Sequence, residues 1–414
     1  MAGETRRSND WDERARAALD GQASLKLRQV IPLKTRRRVG AFFTGSDLAA
    51  RLIARCTKLD GHSIIHDPSL GMGDLLLASA RKLPRGRTLN QTLKRWGRQL
   101  TGTDIHPEFV EGAKTRLVIL AQRLHGLKSL GVPSIAGLFP GIRVADGLTQ
   151  HQAFARATHL TLNPPFGLTD APAECEWAGG LITAAAAFVI TALERAKPGI
   201  ELVAILPDVL RSGSFTEQWR KRVEKLAVVK LVEPYGIFDK SVDVDVFILR
   251  ATRRAKNSVA KSVLWTSAPV QTGTTIADYF EVHVGRVVPH RDPKKGKWHP
   301  YIHARSVPTW KIMREFKTSR RHQGKVYAPP FVAIRRTSRP GHPYRAAATI
   351  IAGEKSVAVE NHLIVCEPKA RTLKMCKKLM TQLQTQEVNK FLDKRIRCRH
   401  LTVGAVAAIP FASS

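Results

Sequence analysis

Across residues 64–250, short apolar runs alternate with longer segments of helical periodicity, and few folds accommodate that alternation. Residues 63–67, 100–103, 142–145, 157–162 and 202–206 each read as a buried strand, and 227–232 and 242–250 add two more. Helical spacing of apolar residues marks 47–56, 75–81, 108–124 and 181–197, while the polar, basic stretch 84–99 reads as a loop or short helix inserted between sheet elements. Strands alternating with helices require a doubly wound α/β sheet with right-handed crossovers, so a seven-stranded, Rossmann-like domain is expected. Such sheets bind ligands outside the carboxyl ends of their strands.

The residues at those ends are chemically distinctive. Strand one runs into Asp67-Pro68-Ser69-Leu70-Gly71-Met72-Gly73-Asp74 before a helix, where glycines let a backbone approach a ligand closely. Strand two ends at Asp104, followed by Ile105-His106-Pro107 and a helix, which places an acid to accept from two ribose hydroxyls. Asp67 and Asp104 are further apart in sequence than in the usual dinucleotide fingerprint, and the 84–99 insertion accounts for the excess. Strand three ends in Asp146-Gly147, and strand four delivers Asn163-Pro164-Pro165-Phe166. An Asn held by two prolines offers a rigid amide oxygen. The prolines add carbonyls without N–H groups, and the aromatic ring offers a face, a set suited to a planar substrate bearing an exocyclic amine. Singly, each has a plainer reading: Asp-Gly and Asn-Pro are common turn dipeptides, and a lone Gly-x-Gly is weak.

Charge limits the class of partner. The chain of 414 residues carries a formal net charge of +33, which points to a polyanion. Residues 251–414 hold 31 basic against 9 acidic side chains, a net of +22, leaving +11 for residues 1–250. The expected layout is a basic N-terminal arm (1–38), an α/β domain (39–255) and a basic α+β domain (256–414) that is the likelier nucleic-acid binder. Five widely spaced cysteines, none in CxxC form, imply reduced thiols and no zinc site. No secretory signal or bilayer-length apolar run is present, so a cytoplasmic or nucleoid protein with no membrane association is expected.

The order of these pieces resembles the S-adenosylmethionine-dependent amino-group DNA methyltransferases of the γ arrangement, found in type I modification subunits and in type II and IIG adenine methylases. Gly40-Ala41-Phe42-Phe43-Thr44 resembles their N-terminal cofactor motif, residues 67–73 their glycine loop, and Gly102-Thr103-Asp104-Ile105 their ribose step. Asp146-Gly147 resembles their adenine step, Asn163 to Phe166 their catalytic motif, and Leu206-Pro207-Asp208 the segment after strand five. The resemblance implies that Phe43, Thr44, Asp67, Pro68, Gly71, Gly73, Asp104, Ile105, Asp146 and Gly147 bind S-adenosyl-L-methionine. It implies catalysis by Asn163, Pro164, Pro165 and Phe166 without a metal, with Phe166 and Phe238 as walls for a flipped base, and recognition of double-stranded DNA by residues 256–414. Two departures stand out: Ser69-Leu70 replaces the usual Ala-Cys, and Gly45 stands where Pro is usual. The long N-terminal helical domain of type I subunits has no counterpart, which favours a single-chain modification enzyme, with a separate restriction or defence subunit as a possible partner.

Alternatives remain open at this level. Cytosine-C5 chemistry needs a thiolate, typically after a proline, and no cysteine here follows one. Cytosine-N4 transfer shares the geometry, usually with Ser in place of Asn163. Relatives with this motif also modify RNA or a protein glutamine amide, and a non-catalytic DNA-binding protein with a decayed fold is a further reading. Beyond residue 255, basic clusters at 291–297, 314–325, 335–336 and 394–399 interleave with Trp298, Trp310, Tyr327, Phe331, His342 and Tyr344, the pattern of a phosphate-tracking surface. Strands are expected at 331–335 and 363–366, and a helix over 370–390.

Overall fold

A computed structural model of the chain describes residues 11–13, 15–20, 44–127, 137–171, 175–238, 244–255, 263–266 and 273–412. Phe43 and most of the basic N-terminal arm lie outside the described residues. Two compact units divide the chain: Met1–Arg211 with Glu217–Val263, and Ser212–Thr216 with Leu264–Ser414.

The N-terminal unit holds the expected seven-stranded sheet. Its strands are β1 (Ile65–Asp67), β2 (Leu100–Asp104), β3 (Ile142–Val144), β4 (His159–Leu162), β7 (Glu201–Pro207), β8 (Ala227–Ile237) and β9 (Asp245–Arg253), in the order β3-β2-β1-β4-β7-β9-β8. The first five are parallel, and β9 runs antiparallel to both β7 and β8. Every residue of β1, β4 and β7 is buried, as in strands covered on both faces, and 202–206 of β7 is accordingly an unbroken apolar run. Strand order reverses between β1 and β4, which pair directly with His66 beside Leu160, so their carboxyl ends flank the crevice of a doubly wound sheet.

Four helices matter for the site: α1 (Ser46–Ile53), α2 (Asp74–Ala80), α3 (Leu89–Gln99) and α4 (Pro107–Leu124). The 84–99 insertion contributes α3, closed at its start by a reciprocal capping box between Thr88 and Gln91.

Two local expectations fail for tertiary reasons. Residues 181–183 form a short strand (β6, Leu181–Thr183) that pairs with β5 (Leu168–Asp170), so the following helix, α5, begins only at Ala184 and runs to Arg195. Strand β8 runs past the expected 227–232 as far as Ile237; a register shift between Pro234 and Gly236, with Gly236 at φ 117°, lets the strand bend without ending.

The C-terminal unit is α+β. A five-stranded sheet is made of β10 (Phe280–Val284), β12 (Ile312–Met313), β14 (Phe331–Arg335), β15 (Ala348–Ile351) and β17 (Leu363–Pro368), with β14 and β17 where strands were expected, and a three-stranded sheet pairs β11 (Lys297–Ile302) with β13 (Ser319–His322) and β16 (Ala358–Val359). Both faces of β14 are buried: Val332 and Ile334 join one apolar cluster, Phe331 and Ala333 another. The single helix expected over 370–390 is two, Leu373–Leu383 and Gln386–Arg395, the second capped by the Thr385 side chain. Several arginines of the basic clusters serve the fold: Arg320, Arg335 and Arg336 donate to the carbonyls of Asp292, Val307 and Leu401, and fully buried Arg345 donates to those of Ser338 and Ile396.

Candidate active site

The glycine loop after β1 is held by its neighbours on every side. Leu70 N–H donates to the Thr103 carbonyl (2.9 Å) and Gly71 N–H to Asp104 Oδ2 (2.9 Å), while Asp104 Oδ1 accepts from His106 N–H (2.9 Å). Asp104 thus ties the loop after β1 to the loop after β2. Gly73 sits in the left-handed region at φ 78°, and a Cβ there would lie 2.8 Å from Ala113 Cβ on α4, so both its conformation and its close packing require glycine. Leu70, where the resemblance predicts Cys, is 3% exposed and packs in the core beneath the loop.

Asp67 is 1% exposed and accepts from the Ser69 N–H (3.0 Å) and hydroxyl (3.3 Å). Burial pushes its carboxyl up to about 7, against the pull of Ser69 and with help from the Asp104 and Asp74 charges. Burial also raises Asp104, offset by its two amide partners. Ile105 is 60% exposed, an apolar side chain left open beside Asp104.

Asp146 and Gly147 meet this loop edge-on. Asp146 is exposed and accepts from Leu148 N–H (2.9 Å), which sets its side chain at the start of a short 3-10 turn. A Cβ at Gly147 would fall 1.8 Å from the Pro68 carbonyl oxygen. The two backbones are therefore in contact through a position that only glycine can fill.

Asn163 follows β4 directly, across the crevice from Asp67. Its Nδ2 donates to Thr44 Oγ1 (2.8 Å), a contact that ties the side chain to the segment ahead of α1. Phe166 and Phe238 meet edge to face, ring centroids 5.4 Å apart at 68°. Thr44, Asp67, Pro68, Gly71, Gly73, Asp104, Ile105, Asp146, Gly147, Asn163, Pro164, Pro165, Phe166 and Phe238 thus all lie at strand ends or in segments at or beside the carboxyl edge of one sheet; Phe43 lies outside the described residues. Among the described residues, the one group of metal-ligating side chains that converges is Glu281, His283 and Glu367, in the other unit.

A buried ion pair that sequence reasoning missed anchors the loop. Asp74 Oδ1 pairs with Arg116 Nη1 of α4 at 2.9 Å, both nearly inaccessible, and Asp74 Oδ2 accepts from Gly45 N–H at 2.9 Å. Arg116 also donates to the Met72 carbonyl. An acid at the first position of α2 is ordinary in sequence, and only the fold brings α4 and residue 45 to it. Replacing Arg116 by Met should cost about 3–5 kcal/mol, because Asp74 is left buried without its cation. Denaturant unfolding should show this, and an Asp74→Leu/Arg116→Met pair should recover part of the loss.

No protein-family model matches the sequence, and no curated protein matches it. Solved structures do. The type IIL restriction-modification enzyme MmeI, determined in complex with DNA, aligns at TM-score 0.54 and 11% identity over 94% of this chain and 69% of its own. A candidate class I S-adenosylmethionine-dependent methyltransferase from Listeria monocytogenes aligns at TM-score 0.36 and 17% identity, over 56% of this chain and 68% of its own. The M protein of the type I restriction enzyme EcoKI aligns at TM-score 0.37 and 16% identity, over 53% of this chain, which spans less than half (43%) of that protein. The likeness to MmeI shows a shared fold. It is the fold of a doubly wound α/β sheet, with the switch point between β1 and β4 as its crevice.

Proposed function

We propose that the chain transfers a methyl group from S-adenosyl-L-methionine to the N6 amino group of a flipped adenine in a specific DNA sequence, as the modification component of a restriction-modification or related defence system. The observation that carries this reading is the convergence of Asn163, oriented by Thr44, with the Asp67–Gly73 loop across one crevice. An adenine amine is a poor nucleophile because its lone pair is delocalised into the ring. With its two hydrogens accepted by Asn163 Oδ1 and the Pro164 carbonyl, the nitrogen pyramidalises and presents its lone pair to the methyl group, which is catalysis by positioning and preorganised dipoles. The target base must leave the stack, and the Phe166–Phe238 pair supplies an aromatic wall to receive it.

In this reading Asp67 meets the cofactor's ammonium, Asp104 its ribose and Asp146 its adenine amine, while the open Ile105 side chain covers the purine. Duplex DNA is held by the basic C-terminal unit, where Trp298 on β11 is 69% exposed and lies opposite Arg321 on β13. Methylation-sensitive sequencing of DNA from cells expressing the protein should reveal new N6-methyladenine at one motif, absent with Asn163→Ala. Modified cytosine would overturn the base assignment, and no modification would overturn the enzymatic reading.

A pH dependence follows from Asp67. Its carboxyl titrates at about 7 in the free protein, so below that pH a cationic ligand must displace a proton. Affinity for the cofactor, or for its demethylated product, should fall by about tenfold per pH unit below 7 and level off above it. Asp67→Asn should flatten that profile. Calorimetric titration between pH 5.5 and 8.5 checks both, and a flat wild-type profile would remove Asp67 from the ammonium site.

A further inference from the structure

We propose that the exposed face of α3 is a second binding site for duplex DNA, on the edge of the sheet opposite the candidate active site. The inference rests on the reading that this protein handles DNA, but not on its transferring a methyl group. Helix α3 leads straight into the amino end of β2, and Gln99 Nε2 donates to the carbonyls of Asp60 and Ser63, just ahead of β1 (both 2.9 Å). Asp67, Asp104 and Asn163 lie at the other ends of these strands. At about 3.3 Å per residue, β2 alone puts roughly 16 Å of sheet between the two edges.

The groove on this edge has a volume of ≈ 790 Å³ and is lined by Arg85, Arg87, Gln91, Lys94, Arg95 and Arg98 among others. From residue 75 to 103 the sequence holds seven basic side chains and no acidic one. Among the described residues, none of the five lining cations pairs with a carboxylate; Arg85 donates to the Leu124 carbonyl (2.7 Å) and Arg95 to that of Arg85 (3.5 Å). An ordinary solvated helix face mixes signs, because like charges three and four residues apart repel. Here Lys94, Arg95 and Arg98 share one face beside Gln91, with all four exposed, and the fold holds them there. Leu93 and Trp96 on the opposite face are buried at 3% and 0% exposure. Gly97 brings the helix so close to residue 138 that a Cβ would fall 2.1 Å from the Leu138 carbonyl oxygen. A rigid, single-sign groove fits a phosphodiester backbone, whose affinity comes from displaced counterions. Its occupant is a length of DNA other than the one presented to Asn163.

The test uses the full chain and the triple variant Lys94→Ala/Arg95→Ala/Arg98→Ala, whose positions are all exposed. Binding to a random-sequence duplex of about 60 base pairs is measured across a salt series, where each lost phosphate contact lowers the slope of log affinity against log salt by about 0.9. The variant should lose about 2–3 units of slope, bind the cofactor as the wild type does, and act unchanged on a duplex of about 12 base pairs, little more than one helical turn. A slope unchanged from wild type would overturn the site. So would a loss seen with duplex RNA and not with duplex DNA, or an equal loss of methyl transfer on the short duplex, which would assign these residues to the catalytic edge. If the wild type transfers no methyl group while the variant still loses slope, the methyltransferase reading fails and the groove stands.

Discussion

Asn163→Ala should lower kcat for methyl transfer by about 10²–10³-fold while leaving cofactor affinity within about threefold of wild type. The asymmetry follows from where the side chain stands. Asn163 follows β4, across the crevice from the glycine loop, so in the proposed reaction it contributes an acceptor to the reacting amine and little to the cofactor. Asn163→Asp keeps an acceptor oxygen but has no N–H to give Thr44, and should recover part of the rate. Thr44→Val is the complementary test of positioning: with its hydroxyl gone the amide loses its fixed orientation, and kcat should fall by about tenfold with KM little changed. Single-turnover kinetics beside equilibrium cofactor binding separate these effects. Loss of cofactor binding in step with turnover would make Asn163 a structural residue and remove the central support for the proposed chemistry.

Gly147→Ala is expected to be severe despite adding a single methyl group. The new Cβ would fall 1.8 Å from the Pro68 carbonyl oxygen and 3.1 Å from Phe188 Cε1, so the two loops must move apart. That separation should cost on the order of 2–4 kcal/mol of stability and at least about tenfold in cofactor affinity, since Pro68 is continuous with both Asp67 and the glycine loop. Gly71→Ala makes an informative comparison. A Cβ there meets nothing within 4 Å, and only its φ of +51° opposes the change, which should cost about 1–2 kcal/mol. Thermal unfolding and cofactor titration of the two variants should rank them in that order. A Gly147→Ala protein as stable as wild type would mean the two backbones are not in contact.

Much of the fold was legible because period and burial agree along the chain. Runs such as 202–206 are apolar throughout, as a strand covered on both faces must be, and β7 is buried at every residue. The polar residues that interrupt this pattern, Asp67, Asp104, Asp146 and Asn163, fall where strands end, so the edge of the candidate site could be read without coordinates. Legibility failed where long-range pairing overrode local preference. Leu181–Thr183 has the composition to begin a helix and is instead drawn into a hairpin by Leu168–Asp170, and the strand expected to stop at 232 continues through a bulge to Ile237. The basic clusters of the C-terminal unit were legible as charge and not as purpose, since Arg320 and Arg335 each give a donor to a backbone carbonyl.

By itself the sequence determined the alternation of elements, the chemistry available at the strand ends and the sign of the chain's own charge, because each is a property of the residues without regard to their arrangement. Tertiary structure alone decided which of those residues meet. Thr44 reaches Asn163 across 119 residues, Arg116 reaches Asp74 across 42, and Gly147 lies against Pro68. Such contacts depend on strand order and helix packing, and a period of two or 3.6 residues carries no information about either.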